Sequence, residues 1–187
     1  MLKKHVKQLS FSLILLSHLG FLAAILYEKQ QNIYVSIFVV LVIVLLLIRY
    51  KKTSLKAKNH DLEHVLTVAF VFFGAIITYV LSVSFKLSSV LAASLVGLVV
   101  SFVPSFFKKN NFIKGMPTAV YCGAFVGMTN VNIAPDYIFI ALASVITGFL
   151  LVGTKDAFHG FGGKLGTLAF GGVTLAFFIT FIISRWL

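Results

Sequence analysis

Two stretches of this chain hold the residue types from which a binding site could be built. The first is His159-Gly-Phe-Gly-Gly-Lys-Leu-Gly-Thr167, where four glycines surround Lys164. Backbone N–H groups at a helix N-terminus, or in a glycine-rich nest, attract anions. The segment from His159 to Thr167 then serves as a gate or as a site for an anionic group, in which Lys164 supplies the charge and the amides of Gly162, Gly163 and Gly166 supply the dipoles. The pattern is not a phosphate loop. Leu165 stands where Ser or Thr is needed, and no glycine lies five residues before Gly163. It is not a dinucleotide fingerprint either, because Leu165 falls where the third glycine should be. A plain turn with a topology-setting lysine is the alternative.

The second stretch runs from Thr118 to Asn130 and carries Thr118, Tyr121, Cys122, Thr129 and Asn130 in an otherwise apolar segment. Polar groups in a membrane are expensive and usually face the bundle interior. Thr118, Cys122 and Thr129 stand at i, i+4 and i+11, so a continuous helix puts them on one face. That face can line a polar path. It can also make interhelical hydrogen bonds, worth only about 0.6–2 kcal/mol each.

Other titratable groups are sparse. His18 lies in the middle of an apolar run, where a neutral ring bonded to a carbonyl is expected in preference to a proton relay. Asp136 follows Pro135 and reads as the N-cap of the next helix. His60, Asp61, Glu63 and His64 cluster, and His60 and His64 at i, i+4 could hold a metal. The polar start of a helix, with its acids at the positive end of the dipole, explains them better. No zinc-protease, nucleophile-elbow or paired-aspartate pattern occurs, so no enzymatic activity, cofactor or metal is expected. Cys122 is the one cysteine, which leaves no intramolecular disulfide.

The elements that must position these groups follow from composition. The chain has 187 residues, 59% hydrophobic and only 11% charged, with a mean hydropathy of +1.03. Soluble domains carry about 25% charged residues. Charge-poor windows at 8–27, 30–48, 65–85, 87–107, 115–135, 137–154 and 165–184 are each 18–21 residues long. A helix of about 20 residues crosses the hydrocarbon core, and backbone groups in lipid must pair internally. The expectation is an all-α, polytopic transmembrane bundle forming a single domain. Its helices are placed at about 9–27, 33–48, 65–85, 87–107, 116–134, 137–153 and 165–183. The fifth window contains Gly115, Gly123, Gly127, Asn130, Asn132 and Pro135. Six spans plus a re-entrant segment is therefore the alternative. The first run comes after a basic start but is long for a signal sequence and lacks a small-residue cleavage site, so it reads as a retained helix.

Seven spans place thirteen of the 16 Lys and Arg residues on one side, leaving Lys29, Lys86 and Arg185 on the other. The positive-inside rule then puts the N-terminus in the cytoplasm. It also accounts for the net charge of +11 without nucleic acid.

Small residues mark the tight contacts. Ala93-x-x-x-Gly97, Gly123-x-x-x-Gly127 and Ser144-x-x-x-Gly148, with Gly171-Gly172, let backbones approach closely. They predict a tight centre of helices 4–7, with helices 1 and 2 facing lipid. Thr67-Val-Ala-Phe70, Thr118-Ala-Val-Tyr121 and Thr167-Leu-Ala-Phe170 recur at spacings of 51 and 49, which suggests a two-helix repeat. With no soluble domain or nucleotide motif, the expected function is that of a small inner-membrane permease or channel. It passes a solute or ion through helices 3–7 and assembles as a homo-oligomer in the bilayer. The alternative is a non-transporting membrane subunit that docks a cytoplasmic partner.

Overall fold

The computed structural model describes residues 2–29, 31–52, 65–106, 111–154 and 163–186. They form seven α-helices: α1 (Leu2–Glu28), α2 (Ile33–Lys52), α3 (Val65–Val83), α4 (Ser89–Phe106), α5 (Asn111–Gly127), α6 (Tyr137–Gly153) and α7 (Lys164–Trp186). The architecture is an all-helical one suited to a membrane bundle, with no strand among the described residues. Within α1, α3, α4 and α7 lie segments long and apolar enough to cross a bilayer, and α2 and α6 contain shorter apolar ones.

Helix ends obey local chemistry. The Asn32 side chain accepts from the Val35 N–H at 3.3 Å and starts α2, and Ser88 does the same for Leu91 at α4. The expected Asp136 cap is present: Oδ1 accepts from the Phe139 N–H at 2.7 Å. The fifth helix differs from expectation. It begins at Asn111, runs through Lys114 and Pro117, and stops at Gly127 instead of reaching 134. Past Gly127 the side chains compete for the backbone. Thr129 Oγ1 donates to the Val126 carbonyl at 2.6 Å, and Asn130 Oδ1 accepts from the Asn132 N–H at 2.9 Å. Pro135 then disfavours helix at Ala134.

The chain divides into two units. The first contains α1 and α2, which pack on one another. Ile14, Ser17 and Val39 are buried there, while Leu16 and Phe38 are bare. The His18 ring bonds its own helix, with Nδ1 2.8 Å from the Ile14 carbonyl oxygen.

The second unit contains α3–α7. Helix α5 touches all four of its neighbours, and α3 packs on α4, α5 and α6. The tight centre is thus built on α3 with α5, whereas the small-residue motifs point to helices 4–7. Gly74 of α3, absent from those motifs, shows why. A Cβ there would stand 2.2 Å from the Val120 carbonyl oxygen of α5. The other glycines meet neighbours as the motifs require. Gly123 and Gly127 face α3, Gly97 faces the Tyr121 ring, Gly148 faces Val68, and Gly172 faces Thr147. Gly171 is buried beside it in α7. The Gly123–Val71 and Gly127–Tyr79 approaches make α3 and α5 parallel, and Gly148 against Val68 with Tyr137 against Tyr79 makes α6 antiparallel to α3. Gly97 and Gly148, matched in the suggested repeat, face non-matching partners: Gly97 meets the next helix along the chain and Gly148 meets α3.

Candidate functional site

The end of the second unit at which α3, α5 and α7 finish carries a linked set of polar contacts among the described residues. Residues 128–136 join α5 to α6 without helix. This connection folds on itself: the Asn130 carbonyl accepts from the N–H groups of both Ile133 and Ala134 at 2.9 Å. It is also tied to α3, because the Tyr79 hydroxyl donates to the Ala134 carbonyl. The Tyr79 ring meets Tyr137 edge-on at 5.3 Å, and the Tyr137 hydroxyl is 3.3 Å from Ser84 Oγ. Non-helical backbone near a membrane needs such partners, and here α3 supplies them.

Beside this connection runs an open groove of about 390 Å³, walled by α6 and α7. Its apolar wall includes Ile138, Leu142, Phe177 and Phe181, and its polar groups are Asn132, Asp136, Thr180 and Ser184. Phe177 and Phe181 stack at 6.4 Å with their planes 13° apart. The Thr180 hydroxyl donates to the Ala176 and Phe177 carbonyls at 3.0 Å, and Ser184 donates to Phe181 at 2.9 Å. Their protons are committed to their own helix, so both present oxygen as an acceptor.

The residues singled out from sequence do not converge. Thr118 is exposed, Cys122 is fully buried with its thiol donating toward the Leu165 carbonyl at 3.6 Å, and Thr129 lies beyond the end of α5. The single polar face expected from their spacing is therefore not formed. Tyr121 lies against Phe125 and beneath Gly97. Asn130 organises the α5–α6 connection and adjoins the groove through Asn132. Of the glycine-rich segment, His159 and Gly162 lie outside the described residues, as does the His60–His64 cluster. Gly163 has φ +78°, a left-handed conformation natural to glycine. Lys164 begins α7, and the Thr167 N–H donates to the Gly163 carbonyl at 3.0 Å.

The groove itself is not readable from the sequence. It needs the start of α6 and the end of α7 side by side, more than forty residues apart in the chain. Asp136 and the Phe177/Phe181 pair at i, i+4 are its visible signals. No family model, no curated protein and no solved structure matches this chain.

Proposed function

We propose that the protein is a small multi-pass permease that takes a solute at the end where α3, α5 and α7 finish. The observation that carries this reading is the non-helical α5–α6 connection, pinned to α3 by Tyr79 and forming one wall of the 390 Å³ groove. Non-helical backbone in a membrane protein is tolerated where protein covers it or where it lines a cavity, and a partly polar cavity is the usual place for a small ligand. The thirteen-to-three division of basic residues supports an N-terminus in the cytoplasm of an inner membrane, with the groove facing outward. The bare face of α4, with Leu91, Leu98 and Phe102, offers a surface for self-association in the bilayer.

Reconstitution into liposomes tests the reading. At least one class in a panel of organic cations, anions and neutral solutes should move. Leu142→Trp, which fills the groove, should slow it while expression stays normal. A reporter fused after Leu187 should lie outside the cell. Liposomes impermeable to the whole panel, together with a second protein that co-purifies stoichiometrically, would replace the permease with a membrane scaffold.

A further inference from the structure

We propose that the α6–α7 groove is a binding site for an organic ammonium group, which specifies the solute class of the permease reading and rests on that reading only for what happens after binding. Three features of the groove agree on this chemistry. Its formal charge comes from Asp136 alone, since no lysine, arginine or histidine lines it among the described residues. Asp136 spends Oδ1 on the Phe139 N–H, and its second carboxylate oxygen is left for a ligand. Thr180 and Ser184 present acceptor oxygens because their protons go to backbone carbonyls of α7. A ligand that donates protons or carries positive charge is thus matched, whereas an anion meets the like charge of Asp136 and finds a side-chain donor only in the Asn132 amide among the described lining residues.

The apolar half of the groove narrows the class further. Phe177 and Phe181 stand one helical turn apart with nearly parallel rings, and both are about half exposed. Aromatic faces attract cations through the ring quadrupole, and alkylated ammonium groups are the cations best suited to them. Ile138 and Leu142 continue the wall and would hold the hydrocarbon part of the ligand. A volume of about 390 Å³ suits a small ligand of this kind. Such ammonium groups occur on free amines and on the headgroups of zwitterionic lipids. The groove recognises the shared chemistry, and its source is an experimental outcome.

The test uses the full chain purified into nanodiscs of phosphatidylglycerol. Binding of benzyltrimethylammonium is measured by titration calorimetry, with phenylmethanesulfonate as the anionic counterpart. The cation should bind in the millimolar range or tighter, and the sulfonate should not. Asp136→Asn removes the charge but keeps an equally good helix cap, so it should retain the fold and weaken the cation about tenfold or more. Phe181→Leu keeps the apolar wall and should weaken it about two- to fivefold. Adding phosphatidylethanolamine to the disc identifies the source. Competition with the cation assigns the site to a lipid headgroup, and no competition assigns it to a free amine. Equal affinity for the sulfonate, or unchanged cation binding in a well-folded Asp136→Asn protein, would overturn the assignment. So would an absence of cation binding to the original chain. Cation binding without flux in liposomes would leave the site standing and remove the permease.

Discussion

Gly123 of α5 and Val71 of α3 approach so closely that a Cβ on Gly123 would stand 1.9 Å from the Val71 carbonyl oxygen. The obstacle is backbone, which cannot rotate away as a side-chain end can. Gly123→Leu must therefore push two helices apart along a contact that includes Gly74 and Gly127. Forced overpacking typically costs about 1–3 kcal/mol and more where backbone is the obstacle. The variant should lose its monodisperse peak on size exclusion. Leu16→Ala, at a side chain 67% exposed, should not.

Tyr79 is buried, and its hydroxyl reaches across to Ala134 in the α5–α6 connection. Tyr79→Phe keeps the ring against Tyr137 and leaves a carbonyl without its donor. The expected loss is about 1–3 kcal/mol of thermal stability. Ser84→Ala removes only an exposed contact at 3.3 Å and should shift the melting temperature little. Equal effects from the two would show that the connection is not held from α3.

Thr78 is fully buried, and its Oγ1 has no hydrogen-bond partner among the described residues. Thr78→Val exchanges the hydroxyl for a methyl of similar size. It should leave stability unchanged or raise it by about 1 kcal/mol, because an unsatisfied polar atom is costly in an apolar setting. A clear loss of stability would mean that the hydroxyl is satisfied by bound water.

Lys86 ends the α3–α4 turn with φ 54°, a left-handed conformation that costs an L-residue roughly 1–2 kcal/mol. Lys86→Gly should raise the thermal midpoint in detergent. It also deletes one of the three basic residues that a seven-span topology puts on the side poorer in Lys and Arg, so under that topology membrane orientation should be unchanged or reinforced. A lowered midpoint would indicate that the lysine side chain does more for the turn than its backbone costs.

The helices were legible because the windows between charges match what lipid demands of a chain. Asp136 could be read as a cap because only the helix start explains an acid just after Pro135. His18 could be read as a carbonyl-bonded ring because a mid-membrane imidazole has its own helix to bond. The start of α5 was hidden. Asn111 and Lys114 look like loop by their polarity, yet the helix that carries the apolar run from Met116 to Gly127 begins with them. Its end was hidden too, because Thr129 and Asn130 divert the backbone through bonds that no hydropathy pattern records. Gly74 stood in the sequence beside Ala75, yet a single glycine does not say which helix it will meet. The groove was furthest from view, since its two walls come together only after the bundle has formed.

Along the helices, hydroxyls bond backward to their own chain. Ser17 donates to Leu13, Ser94 to Val90, Ser144 to Ala141, and Thr147 to Ala143. A helix that satisfies its polar groups alone can leave the translocation machinery and wait in lipid without a partner. Association then adds few hydrogen bonds, the thiol of Cys122 to Leu165 among them, and the fit of glycine against backbone decides which helices stay together. The bond from Tyr79 to Ala134 belongs to a later event. It needs the Ala134 carbonyl, 55 residues beyond Tyr79 in the chain, so during synthesis the hydroxyl is in place long before its partner exists.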